Sequence, residues 1–193
     1  MLPPWKSSWG RRQFLAAGSA ALLPLTTSRT LASPHRHIPE FTRPLPIPEV
    51  LSPVQRDEST DYYEVVQREA FAEILPGTRT RIWGYNGSFP GPTIEALRGR
   101  TTVVTYVNRL EVPTVAPLHG ADTRREADGF PSDTVAPGES PRCRYDNTGR
   151  PATLWYHDHS ARGAGRNLYM GLAGLYLLKG ADEVDGQLPH GRY

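Results

Sequence analysis

Proline and glycine interrupt this chain too often for long helices to dominate it. Nineteen prolines and eighteen glycines fall among 193 residues. Because proline removes a backbone donor and glycine loosens the backbone, that density argues against a helical bundle and for short strands joined by turns. The expected class is all-β. The clearest strand is the β-branched run from Thr101 to Asn108. Asp61 to Ile74 reads as a strand carrying Tyr63, Val65 and Phe71 among polar residues; Pro76-Gly77 then turns the chain, and Thr78 to Tyr85 returns. Asn86-Gly87 is a tight-turn signal. Val115 to Gly120 reads as a shorter strand, Asp133 to Glu139 holds a turn at Pro137-Gly138, and Arg142 to Tyr145 is a strand expected to pair with what precedes it. Strands at this spacing indicate one sandwich or barrel domain.

The net charge of +2 says little about partners, because Lys6, Arg11, Arg12 and Arg29 lie in residues 1–32, where no acidic residue occurs. Without that segment 18 basic residues face 20 acidic ones, which gives no electrostatic case for nucleic acid. Residues 1–32 have the order of a targeting segment: a polar start, then Arg11-Arg12-Gln13-Phe14-Leu15, then the small and apolar run Ala16 to Leu25. About twelve such residues are too short to span a bilayer, which takes about twenty. The paired arginines resemble a twin-arginine export signal, and Thr30-Leu31-Ala32 offers a small-residue cleavage site. The expected location is therefore periplasmic or extracellular, with no membrane span. Residues 33–60 carry six prolines and read as an extended arm, free or wrapped along the outside of the domain. The domain itself is expected over 61–180, followed at 181–193 by the start of a linker.

Leu154-Trp155-Tyr156-His157-Asp158-His159 is read as a short buried strand between the turn-rich run Asp146 to Pro151 and the apolar run Gly171 to Leu178. On a strand, residues two apart share a face about 6.5 Å from one another, so His157 and His159 would point the same way and Asp158 the other. Neutral imidazole is a good ligand for copper or zinc. A pair of buried, hydrogen-bonded histidines is the simpler alternative. His119, in Leu118-His119-Gly120 about forty residues upstream, tilts the balance toward a metal site. Trp155 is expected in the core and Asp158 in a structural role. Cleavage after Ala32 would put His35 third in the mature chain, but copper chelation there uses the second residue's backbone nitrogen, and Pro34 has no N–H to give up. His35 and His37 therefore read as tail residues, and His190 as solvent-exposed. Cys143, the single cysteine, has no adjacent histidine and reads as an ordinary strand cysteine.

Four motifs occur in one order: Gly84-Tyr85-Asn86-Gly87-Ser88-Phe89-Pro90-Gly91-Pro92-Thr93-Ile94, Leu118-His119-Gly120, Trp155-Tyr156-His157-Asp158-His159, and Asn167-Leu168-Tyr169-Met170-Gly171-Leu172-Ala173-Gly174. Together they resemble the first, N-terminal cupredoxin domain of multicopper oxidases, within that family the spore-coat laccase and bilirubin oxidase group. The resemblance implies a cupredoxin-like Greek-key β-sandwich or barrel. It also implies a three-domain enzyme that takes electrons from a substrate at a blue copper and reduces dioxygen to water at a trinuclear copper centre. His119, His157 and His159 would then be ligands of the type 3 copper pair, a partial site whose remaining ligands the third domain would supply; the second and third domains are the missing partners.

Two departures qualify the implication. Pro117 stands where the family's His-x-His-Gly motif has a histidine for the type 2 copper, and the chain ends at Tyr193. Two readings of different classes follow. One is a piece of a laccase-like oxidase, incomplete and inactive by itself. The other is a copper-depleted structural or scaffolding protein of the cell envelope, against which the retained His119, His157 and His159 argue. A small copper carrier is weaker, because three histidines without a thiolate or thioether give no evident path for delivery.

Overall fold

A computed structural model describes residues 40–115, 118–127 and 129–180. Among the described residues, nine strands make two sheets: β1 (Gln55–Arg56), β2 (Thr60–Ala72), β3 (Thr80–Tyr85), β4 (Gly91–Leu97), β5 (Thr101–Asn108), β6 (Leu118–His119), β7 (Arg142–Tyr145), β8 (Ala152–His157) and β9 (Ala173–Lys179). A 3₁₀ turn spans Arg125–Ala127, and one helix, α1 (Ala164–Met170), connects β8 to β9. The first sheet runs β1-β2-β5-β7, with β3 pairing the far half of β2; the second runs β4-β9-β8-β6. From β3 to β8 every successive strand changes sheet. Sequence neighbours are therefore not sheet neighbours, and β7 pairs with β5 rather than with β6. Among the described residues no helix is long and apolar enough to cross a membrane.

Alternation along each strand builds the core. Thr102, Val104, Tyr106 and Asn108 of β5 turn inward, as do Tyr63, Val65 and Gln67 of β2, Leu154 and Tyr156 of β8, and Tyr176 and Leu178 of β9. Tyrosine dominates this interior. Tyr85, Tyr106 and Tyr156 form a cluster with ring centroids 4.7–6.4 Å apart. A buried phenol needs a partner for its hydroxyl. Tyr156 donates to the Pro92 carbonyl at 2.6 Å, Tyr63 to the Glu95 carbonyl at 3.1 Å, and Tyr176 to Asn147 Oδ1 at 2.7 Å. These bonds run between elements, so the tyrosines fix spacing as well as fill volume.

The strand expected over Thr101–Asn108 forms with those bounds. The Asn86-Gly87 turn forms with both residues at positive φ (53° and 77°), as a tight hairpin turn requires. Three sequence expectations need correction. The strand expected over Leu154–His159 ends at His157, where Asp158 turns its carboxylate into the interior; among its described residues the segment Val115–Gly120 contributes the two-residue β6. Gly91–Leu97, left without a strand assignment beside its prolines, is β4; Pro92 is tolerated there because β4 lies at an edge of its sheet. The helix Ala164–Met170 was not foreseen. The Arg11-Arg12 segment, His35, His37, Pro117, His190 and the run 181–193 lie outside the described residues.

Residues 45–51 run beside the second sheet before the chain joins the first sheet as β1. Thr93 of β4 donates its N–H to the Glu49 carbonyl at 2.7 Å and accepts from Leu51 N–H at 2.8 Å. Leu45 to Pro48 line an apolar depression together with Phe89, Pro90, Trp155 and Ala173 to Leu175.

Gly174 tests the tightness of this packing. A Cβ there would lie 2.4 Å from the ring carbon and hydroxyl of Tyr156, itself fully buried and bonded to Pro92. Gly174→Ala should therefore destabilise the chain by about 1–3 kcal/mol, the usual cost of overpacking. Chemical denaturation measures it; an unchanged midpoint would show that Tyr156 can move.

Candidate metal centre

β6 pairs antiparallel with β8, placing Leu118 opposite Tyr156 and His119 opposite Trp155. Strand alternation then decides who faces the site. Leu154 and Tyr156 point into the core, so Trp155 and His157 point out of it on the same side as His119. The strand stops at His157, and His159, two residues on, turns back toward both rings. The resulting nitrogen separations are short: His119 Nδ1 to His157 Nε2 is 3.1 Å, His119 Nδ1 to His159 Nε2 is 3.3 Å, and His157 Nε2 to His159 Nε2 is 2.9 Å. Among the described residues this is the one group of three or more His, Cys, Asp or Glu side chains close enough to share a metal ion.

The chemistry of the donors fits a metal. His157 Nδ1 lies 3.1 Å from the Asp158 carbonyl, which can only accept, so Nδ1 carries the proton and Nε2 presents its lone pair to the cluster. Burial, then the neighbouring His159 and His119, push His157 from 6.5 down to about 4. It is therefore a neutral imidazole at physiological pH, the form that ligates copper or zinc. Separations of 2.9–3.3 Å are those of nitrogens sharing one coordination sphere with bonds of about 2.0–2.1 Å. The site is asymmetric. His157 is buried, His159 half-buried and His119 exposed, and the open side is a depression of about 270 Å³ lined by His119, Gly120, Phe130, Pro131 and His159.

All three expected histidines thus meet. Trp155 does not go where it was expected: it is half-buried, with its indole stacked on the His157 ring at 3.7 Å between centroids and 24° between planes. Parity explains this, since any residue two before an outward His157 must also face outward, and the same rule would have found it in the sequence. Asp158 faces the interior and is fully buried, and Cys143 lies on β7 opposite Val104, its thiol pushed up by burial.

Comparison with known proteins gives these residues a context. A family model described as multicopper oxidase matches residues 67–183. A laccase of Bacillus stratosphericus is 37% identical over 188 residues, covering 81% of this chain and 36% of that protein. The cell division protein FtsP of Escherichia coli K12 is 31% identical over 186 residues, covering 94% of this chain and 36% of that protein. The crystal structure of a laccase from Pediococcus acidilactici superposes with a TM-score of 0.72 at 32% identity, over 77% of this chain and 32% of the other. The chain spans about a third of the length of the relatives it matches. With the family model covering more than half of its residues and the sandwich fold shared with a solved laccase, this chain belongs to the multicopper oxidases.

Proposed function

We propose that this chain is the N-terminal cupredoxin domain of a laccase-like multicopper oxidase and contributes His119, His157 and His159 to the type 3 copper pair. The observation that carries the reading is the convergence of three imidazole nitrogens within 2.9–3.3 Å on one open rim. Copper bound there would supply one-electron chemistry toward dioxygen, reduced to water at the completed centre. The chain's own residues hold and orient the ligands. Trp155 walls one side of His157 by stacking, the Asp158 carbonyl fixes its tautomer, and the exposed edge of His119 faces outward, where ligands from further domains could join. Relatives about three times as long are consistent with second and third cupredoxin domains, of which the third would complete the site. Arg11-Arg12 and the small-residue run after them support export by the twin-arginine route to the periplasm or beyond.

A second reading is favoured by one specific observation. Pro117 stands where the family motif has a histidine, and the proline side chain has no donor atom to take the place of imidazole. A member that has lost that ligand fits a scaffolding role in the envelope, and the likeness to a cell division protein keeps this alternative in view. Metal uptake discriminates the two.

Copper titration of the chain without residues 1–32 should show uptake that the double substitution His157→Ala/His159→Ala removes; equal uptake by the double variant would refute the site. The same chain, tested alone with a phenol under oxygen, should show no turnover, and robust oxygen-dependent oxidation would overturn the claim that further domains are required. Acid should also weaken the metal-free fold. His157 takes its proton near 4 when folded and near 6.5 when unfolded, so its contribution is present in full above 6.5 and is lost as the pH falls toward 4. Thermal midpoints recorded over that range should decline with falling pH, and less steeply in His157→Gln.

A further inference from the structure

We propose that Asp158 is a positioning residue for the three imidazoles, a clasp joining the segment that leads to His119 to the end of β8 and the residues after it, which carry His157 and His159; the inference rests on the metal reading above. Asp158 has no exposed surface. A carboxylate so enclosed is costly unless donors surround it. Oδ2 accepts the Val115 N–H at 2.8 Å, and Oδ1 accepts the Ser160 N–H at 3.1 Å and the Ser160 hydroxyl at 2.6 Å. Ser160 Oγ in turn accepts from Asn167 Nδ2 of α1 at 3.3 Å, and the same amide reaches the Pro113 carbonyl at 3.5 Å. One network therefore ties three stretches of chain: Pro113–Val115, the turn at Asp158–Ser160, and α1.

The site needs such a tie. β6, which bears His119, is only two residues long and meets β8 through two residue pairs. Ladders that short hold a side chain loosely, whereas imidazoles must keep their positions closely to share a metal. Asp158 supplies a second attachment four residues before His119. It acts on the other side as well, because its backbone carbonyl receives the His157 Nδ1 proton. One residue, placed between two ligands in sequence, thus sets the tautomer of one ring with its main chain and the position of another ring's segment with its side chain. Groups that orient ligands in this way typically change metal affinity 10–100-fold when altered.

The test compares Asp158→Asn with Ser160→Ala and with Arg100→Met. Arg100 bonds Asp61 and the carbonyls of Asp57, Glu58 and Thr60 at the opposite end of β5, so its loss weakens the fold without touching the network. Copper(II) affinity by competitive titration, the nitrogen hyperfine pattern in electron paramagnetic resonance, and the thermal midpoint are measured on each. Asp158→Asn should lose about 10–100-fold in affinity and show fewer coupled nitrogens, with Ser160→Ala intermediate. Arg100→Met should keep wild-type affinity and pattern at a lowered midpoint. Wild-type binding in Asp158→Asn, or a loss no larger than that in Arg100→Met, would overturn the clasp. A wild-type chain that takes no copper would instead sink the metal reading. The clasp is then decided on the metal-free chain: faster exchange of the Val115 amide and loss of the His119–His157 proton contact in Asp158→Asn support it, and unchanged values overturn it.

Discussion

The whole arrangement depends on strand β8 having two faces with opposite tasks. Leu154 and Tyr156 turn inward, where Tyr156 packs against Tyr85 and Tyr106 and holds the Pro92 carbonyl. Trp155 and His157 turn outward beside His119. A slip of one residue in the pairing of β8 with β9 would exchange the two sets, turning Trp155 and His157 toward the core and Leu154 and Tyr156 out of it. Core packing and ligand placement are therefore one constraint, and the tight fit of Gly174 beneath Tyr156 helps enforce it.

Because the imidazoles lie at the edge of that packed layer, their electrostatics follow from the fold. The most buried of the rings, His157, is held neutral at physiological pH, lowered from its ordinary range by burial and then by the neighbouring His159 and His119. With Nδ1 facing the Asp158 carbonyl, His157 presents its Nε2 lone pair beside the nitrogens of His119 and His159, an arrangement suited to a Lewis acid. The same burial that depresses His157 also brings Asp158 into the interior, where backbone and serine donors stabilise it.

Much of this was legible in the sequence, for identifiable reasons. Thr101–Asn108 is a β-branched run flanked by turn residues, and its strand bounds followed directly. The three histidines could be brought together because two of them sit two apart and the third lies in a motif of known kin. What escaped detection was set by tertiary context. Gly163 and Gly165 flank and open α1, which has no side-chain cap, so its seven residues carry little intrinsic helical signal. β4 was hidden by Pro92, which reads as a breaker until the edge position of the strand is known. Trp155 looked like core by size alone, whereas strand parity sends it out to cover His157.

The path of residues 49–51 beside β4 has one more implication. As an edge strand, β4 would offer a row of unpaired amides and carbonyls to any passing chain, and such edges invite intermolecular sheet growth. The bonds between Thr93 and Glu49 and Leu51 occupy part of that row. The arm thus works as a selvedge, a finished border that keeps the cloth from joining its neighbour, and a nick that freed it would bare that row of amides and carbonyls.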